Sequence, residues 1–251
     1  MTRKSLFVYG LVRAAEDRAL GLPGVEHDGE RGEARVIAVG DVGAVVSDGP
    51  PRGASVMPTR KNLEAHNAVI KSFRGLIIPM SFGQVAKGAA ELQRVLKKQR
   101  RAILEELGRL DGKVEMGLRV RWDVGNIFEY FVGEDHELAD ARDRVFGRSG
   151  TPTQAEKLEL GRLFEERLAA ERTRLTERLV ELLRPTAADV KVNAPKGEKT
   201  VTDLVLLVPD EAVPQFERRV HQVAETFPGQ YVFDYNGPWA PFSFVNLSLQ
   251  P

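Results

Sequence analysis

Residues 113–122, KVEMGLRVRW, decide how the second half of the chain is read. Val114, Met116, Leu118 and Val120 recur at every second position, the period of a strand with one buried face. A helical region follows, and Thr153 to Arg184 then reads as a long helix. Its stripe is Leu160, Phe164, Leu168, Leu175, Leu179 and Leu182, and Pro185 stops it. Glu171 and Arg172 leave the middle of that stripe polar. A helix of this kind can project and pair with another in coiled-coil fashion, the earlier long helix being a candidate partner. Asp189–Val192 and Val201–Val208 read as strands around the turn Ala194-Pro195-Lys196-Gly197. Next come a helix over Asp210–Thr226, a turn at Pro228-Gly229 and a strand over Gln230–Tyr235. The order strand, helices, strand, strand, helix, strand predicts an elaborated ferredoxin-like α+β domain over residues 112–251.

Upstream, Ser5–Val12 (SLFVYGLV) reads as a buried strand, and the Gly-, Pro- and charge-rich stretch to about Glu33 as loop. Arg35–Val39 and Val42–Ser47 flank Gly40-Asp41 and predict a hairpin. Thr59 is placed to cap a helix reaching about Arg74, with Leu63, Val69, Ile70 and Phe73 on its apolar face. Leu76–Phe82 reads as a strand in which Pro79 indicates an edge or bulge. Lys87–Leu110 is a long amphipathic helix carrying Leu92, Leu96, Ile103, Leu107 and Leu110, closed by Asp111-Gly112. The boundary is set there, giving residues 1–111 as a modified ferredoxin-like domain with similar parts in a different order.

The 251 residues are 42% hydrophobic and 29% charged, in the globular range. Lys plus Arg and Asp plus Glu are 36 each, so the basic excess expected of a nucleic-acid-binding protein is missing. No cysteine is present, which removes disulfides, thiolate nucleophiles and the usual structural zinc sites. Leu6–Val12 is too short for a signal peptide core, and no stretch approaches the roughly 20 apolar residues of a membrane span. A cytoplasmic protein without membrane attachment is expected.

No catalytic signature emerges. His136-Glu137 starts like a zinc-protease helix, but Asp140 stands where the second His belongs, and Glu134–Asp143 reads more simply as a solvated helix face. Gly197-Glu198-Lys199-Thr200 lacks the upstream glycine of a phosphate loop and is followed by a strand. Of His27, His66, His136 and His221, only His66 lies on an apolar face, where a satisfied core-edge role is favoured over catalysis. No serine sits in a nucleophile elbow. Lys97-Lys98-Gln99-Arg100-Arg101 fans around a helix and reads as solvated. No catalytic residue, cofactor or metal ligand is assigned.

The C-terminus stands out. Six of the eighteen aromatics fall within 231–244: Tyr231, Phe233, Tyr235, Trp239, Phe242 and Phe244. The simpler role is core closure. The other is a protein-binding surface over Tyr235, Trp239, Phe242 and Phe244, held stiff by Pro238 and Pro241.

Ile77-Ile78-Pro79-Met80-Ser81-Phe82-Gly83 resembles the VIPMRFGT-like segment of the gas vesicle GvpF/GvpL family. Glu115–Val120 is similar to that family's EWGVKV-like strand, and Gly237–Phe244 (GPWAPFSF) to its GPWPPYNF-type signature. Val8-Tyr9-Gly10 also fits. Ser81, Ala240 and Phe242 depart from the usual residues. The resemblance runs from near residue 6 to near residue 246. It implies two domains, the second with long helices, and a gas vesicle-associated, cytoplasmic accessory or minor structural protein. Its partners would be the main gas vesicle shell protein and other accessory proteins, with no nucleic acid and no membrane. A shell subunit built to face gas exposes apolar surface that an adaptor could cover before assembly. The alternative class is a ferredoxin-like small-molecule-binding regulatory module.

Overall fold

Leu6–Arg13 forms β1, buried except at its last residue, in the interior of the first sheet. The computed structural model describes residues 5–51, 53–73, 75–147 and 151–248. The chain divides into two compact units. One runs to Glu115 and includes Pro209–Glu211 and the tail from Pro238; the other holds Met116–Val208 and Ala212–Gly237. The tail was expected with the second half, but its contacts belong to the first.

In the first unit β2 (Arg18–His27), β3 (Glu30–Val39) and β4 (Val42–Asp48) are antiparallel neighbours, and β4 pairs with β1. Two short pairings complete β1: β5 (Ile78–Pro79) and β6 (Val85–Ala86). The path through the sheet is β2-β3-β4-β1-β5. The β3–β4 hairpin turns where predicted, with Gly40 at φ +68° supplying the left-handed conformation. The stretch read as loop up to Glu33 is instead β2 and the start of β3. Its Gly21, Pro23 and Gly24 read as breakers, yet the register shifts around Pro23 absorb them at the sheet edge, where a missing N–H is tolerated. Of the strand expected over Leu76–Phe82, only Ile78–Pro79 is in the ladder.

Helix α1 (Arg60–Lys71) starts at Thr59, whose hydroxyl accepts from Asn62 N–H at 3.3 Å. Its buried face is Asn62, Ala65, His66, Val69 and Ile70, whereas Leu63 is exposed. The buried face is thus rotated from the expected one, because Asn62 and His66 are turned inward on it. Helix α2 (Ala89–Leu110) buries all five predicted apolar residues.

The second unit has one sheet, ordered β10-β7-β9-β8: β7 is Lys113–Trp122, β8 Asp189–Asn193, β9 Thr200–Pro209 and β10 Tyr231–Trp239. Between β7 and β8 lie α3 (Ile127–Glu134), α4 (His136–Phe146) and α5 (Gln154–Leu183); α6 (Val213–Glu225) links β9 to β10. Met116, Leu118, Val120 and Trp122 share one core with Phe164, Leu168, Leu175, Leu179 and Phe216. Instead of projecting, α5 packs along its length on its own unit, with Leu160, Phe164, Leu168, Leu175, Leu179 and Leu183 buried. Each such side chain contributes about 2 kcal/mol of burial. Leu183 replaces the half-buried Leu182 at the end of the stripe. The polar gap is filled by Arg172, which donates to the carbonyls of Thr200 (2.9 Å), Gly197 (3.2 Å) and Glu198 (2.7 Å) and lies over the Trp122 ring.

Candidate interaction surface

The aromatic tail is seated in the first unit by elements far apart in sequence. Gly10 lies opposite Pro79, and a Cβ there would come within 2.5 Å of the Ile78 carbonyl oxygen. Only glycine lets 77–80 approach β1 this closely, and Met80 N–H then donates to Tyr9 C=O at 2.8 Å. His66 presents Nε2 to the Met80 carbonyl at 3.1 Å. Its ring stacks on Tyr9 and is flanked edge-on by Phe7 and Phe82. Burial outweighs the Met80 hydrogen bond and lowers the His66 pKa to about 4, so the imidazole is neutral at ordinary pH. The Tyr9 hydroxyl, its pKa pushed up by burial, pairs with Ser47 (2.9 Å) and accepts from Val25 N–H (2.8 Å).

The tail lies on this seat. Phe242 stacks on His66 with ring centres 6.4 Å apart, and Phe244 is wholly buried. A single 3₁₀ turn over Phe242–Phe244 sets their spacing. Glu106 and Arg109 on α2 form a fork at 2.7 and 2.8 Å; Arg109 donates to Phe244 C=O, and Glu106 accepts from Asn246 N–H at 2.7 Å. Glu115 accepts from both the amide (2.7 Å) and hydroxyl (2.9 Å) of Ser243. Trp239 is 46% exposed, with the Lys71 ammonium 5.2 Å from its ring centre.

The four residues expected at a binding surface therefore have different situations. Phe244 is an anchor, Phe242 is half-buried on His66, and Trp239 is presented outward. Tyr235 belongs to the second unit, where it is exposed and meets His221 edge-on at 5.8 Å. Glu106 and Arg109 were missed as tail-holding residues. The signal was available: Glu106 interrupts the apolar face Ile103, Leu107, Leu110, and a carboxylate at such a position needs a partner.

The other candidates resolve into structure. Glu137 on α4 pairs with Arg167, and among the described residues no group of three His, Asp or Glu is disposed to hold a metal. The carbonyls of the Gly197 turn point at Arg172. In the basic run, Arg100 binds Asp41 and Arg101 binds Glu105. No helix among the described residues is long and apolar enough to cross a membrane.

Residues 5–246 match the family model described as gas vesicle synthesis protein GvpL/GvpF. Gas vesicle protein F of Dolichospermum flosaquae is 26% identical over 202 residues, covering 78% of this chain and 81% of that protein. Gas vesicle protein F of Haloferax mediterranei is 26% identical over 256 residues, covering 98% and 95%. Gas vesicle protein L of a Streptomyces species is 26% identical over 242 residues, covering 85% and 84%. The crystal structure of GvpF from an Anabaena species superposes with a TM-score of 0.80 at 20% identity, over 98% of this chain and 99% of that one.

Proposed function

The chain belongs to the gas vesicle GvpL/GvpF family, which supports a role in gas vesicle assembly, and on that premise we propose that it acts there by binding the main shell protein and other accessory proteins, without catalysis. The observation that carries the reading is the Trp239 ring, half-exposed over Lys71 on a segment whose neighbours Phe242 and Phe244 are held in place. A large ring on a stiff, pre-anchored backbone costs little ordering entropy on binding, and aromatics of this kind dominate interface energetics. Phe244 supports this surface without touching the partner. The protein works in the cytoplasm in association with the vesicle, and takes no nucleic acid or cofactor.

Co-expression with the main shell protein, followed by affinity purification of this chain, tests the reading. Co-purification that survives moderate salt is expected, because an apolar contact is not screened. A folded chain that brings down no shell protein would contradict it.

A further inference from the structure

Helices α4 and α5 of the second unit enclose a groove of about 1090 Å³ that the tail surface does not involve. Its floor is apolar, with Leu160 and Phe164 buried beneath Val145 and Leu163. Its rim is acidic: Glu137, Glu156, Glu159, Glu165, Glu166 and Glu198 line it against three basic side chains. Glu137 is matched by Arg167 from outside the lining, and the excess of negative charge remains. Leu158, which lines the groove, is 62% exposed.

Gly161 is the second, independent observation. It lies inside α5, where glycine costs about 1 kcal/mol relative to alanine. Its φ is not in the left-handed region, and a Cβ built on it meets no atom within 4 Å. Nothing within its own unit calls for glycine there. It lines the groove one turn from Leu158, so the open space above it lets another backbone come close.

We propose that this groove seats a cationic amphipathic helix of a partner protein, crossing α5 at Gly161. The apolar floor takes the leucine-type face of such a helix, as in other helix-in-groove complexes, and the glutamate rim selects lysine or arginine on its flanks. An anionic ligand is repelled by the same rim. The site goes beyond the Trp239 surface, and either can fail without the other.

The test uses the full chain and a labelled synthetic helical peptide with leucine at successive third and fourth positions and lysine elsewhere. A counterpart carries glutamate for every lysine. Fluorescence anisotropy should show binding of the lysine peptide that weakens as salt rises, with none of the glutamate peptide. Gly161→Trp, at an exposed position, should keep the fold and weaken binding by about tenfold or more. Gly161→Ala should raise Tm by about 2 °C, since helix propensity improves and nothing clashes. Binding unchanged in Gly161→Trp, equal binding of both peptides, or a lower Tm in Gly161→Ala would each overturn the proposal. So would self-association of the chain that Gly161→Trp abolishes, because the occupant would then be a second copy.

Discussion

At the residue scale the first unit carries polar side chains in its core. His66 is the clearest case, a neutral imidazole inside an aromatic cluster. Its pKa lies near 4 in the folded chain against an ordinary 6.5, so between those values the unfolded chain binds the extra proton. Stability is therefore full above about pH 6.5 and falls as pH drops toward 4, by up to about 3 kcal/mol from this residue. Denaturant titrations across that range should show a smaller pH dependence in His66→Phe than in the wild type. Identical slopes would mean that His66 titrates freely in the folded state. In the second unit the half-buried Arg172 fork is matched by the three carbonyls of Gly197, Glu198 and Thr200.

At the scale of elements, β2 shows how an exposed edge is managed. Asn62, buried on α1, accepts from Glu26 N–H at 2.8 Å and donates to Glu26 C=O at 3.0 Å, doing with one amide what a neighbouring strand would do. Tyr9 satisfies the preceding amide, that of Val25. An edge covered this way offers fewer free groups for pairing with another chain. Asn62→Ala should cost about 2 kcal/mol and speed hydrogen exchange at the Glu26 amide, with exchange at the α2 amides least affected. Unchanged protection at Glu26 would show that the side-chain bridge is not what closes the edge.

The elements also show what could be read in advance. The helices α1, α2 and α5 were legible from the spacing of their apolar residues and from their ends: Thr59 caps α1 where expected, and Pro185 follows the last turn of α5. β7, β9 and the β3–β4 hairpin were legible for the same reason. β2 was not, because an edge strand patched by side chains carries neither a continuous apolar run nor clean alternation. The aromatic tail was recognised as unusual, but periodicity does not say which unit a terminal segment joins. Nor does it show that one aromatic, Phe244, would be anchor and another, Trp239, surface.

At the scale of the whole molecule, the segments that resemble the GvpL/GvpF family fall largely on one purpose. Gly10 admits residues 77–80, Met80 holds His66, His66 receives Phe242, and α2 grips the tail through Glu106 and Arg109. In the second unit Gly117 leaves room for Asn236, 2.9 Å from where its Cβ would lie. The first unit is therefore incomplete without residues from the end of the chain, and those residues carry Trp239 outward.

The most direct test of that arrangement is co-purification of the main shell protein with Trp239→Ala, compared with wild type at matched expression. The account predicts a Tm close to wild type, because the ring is half-exposed, and a loss of recovered shell protein of about tenfold or more. A folded Trp239→Ala chain that recovers shell protein as well as wild type would contradict it.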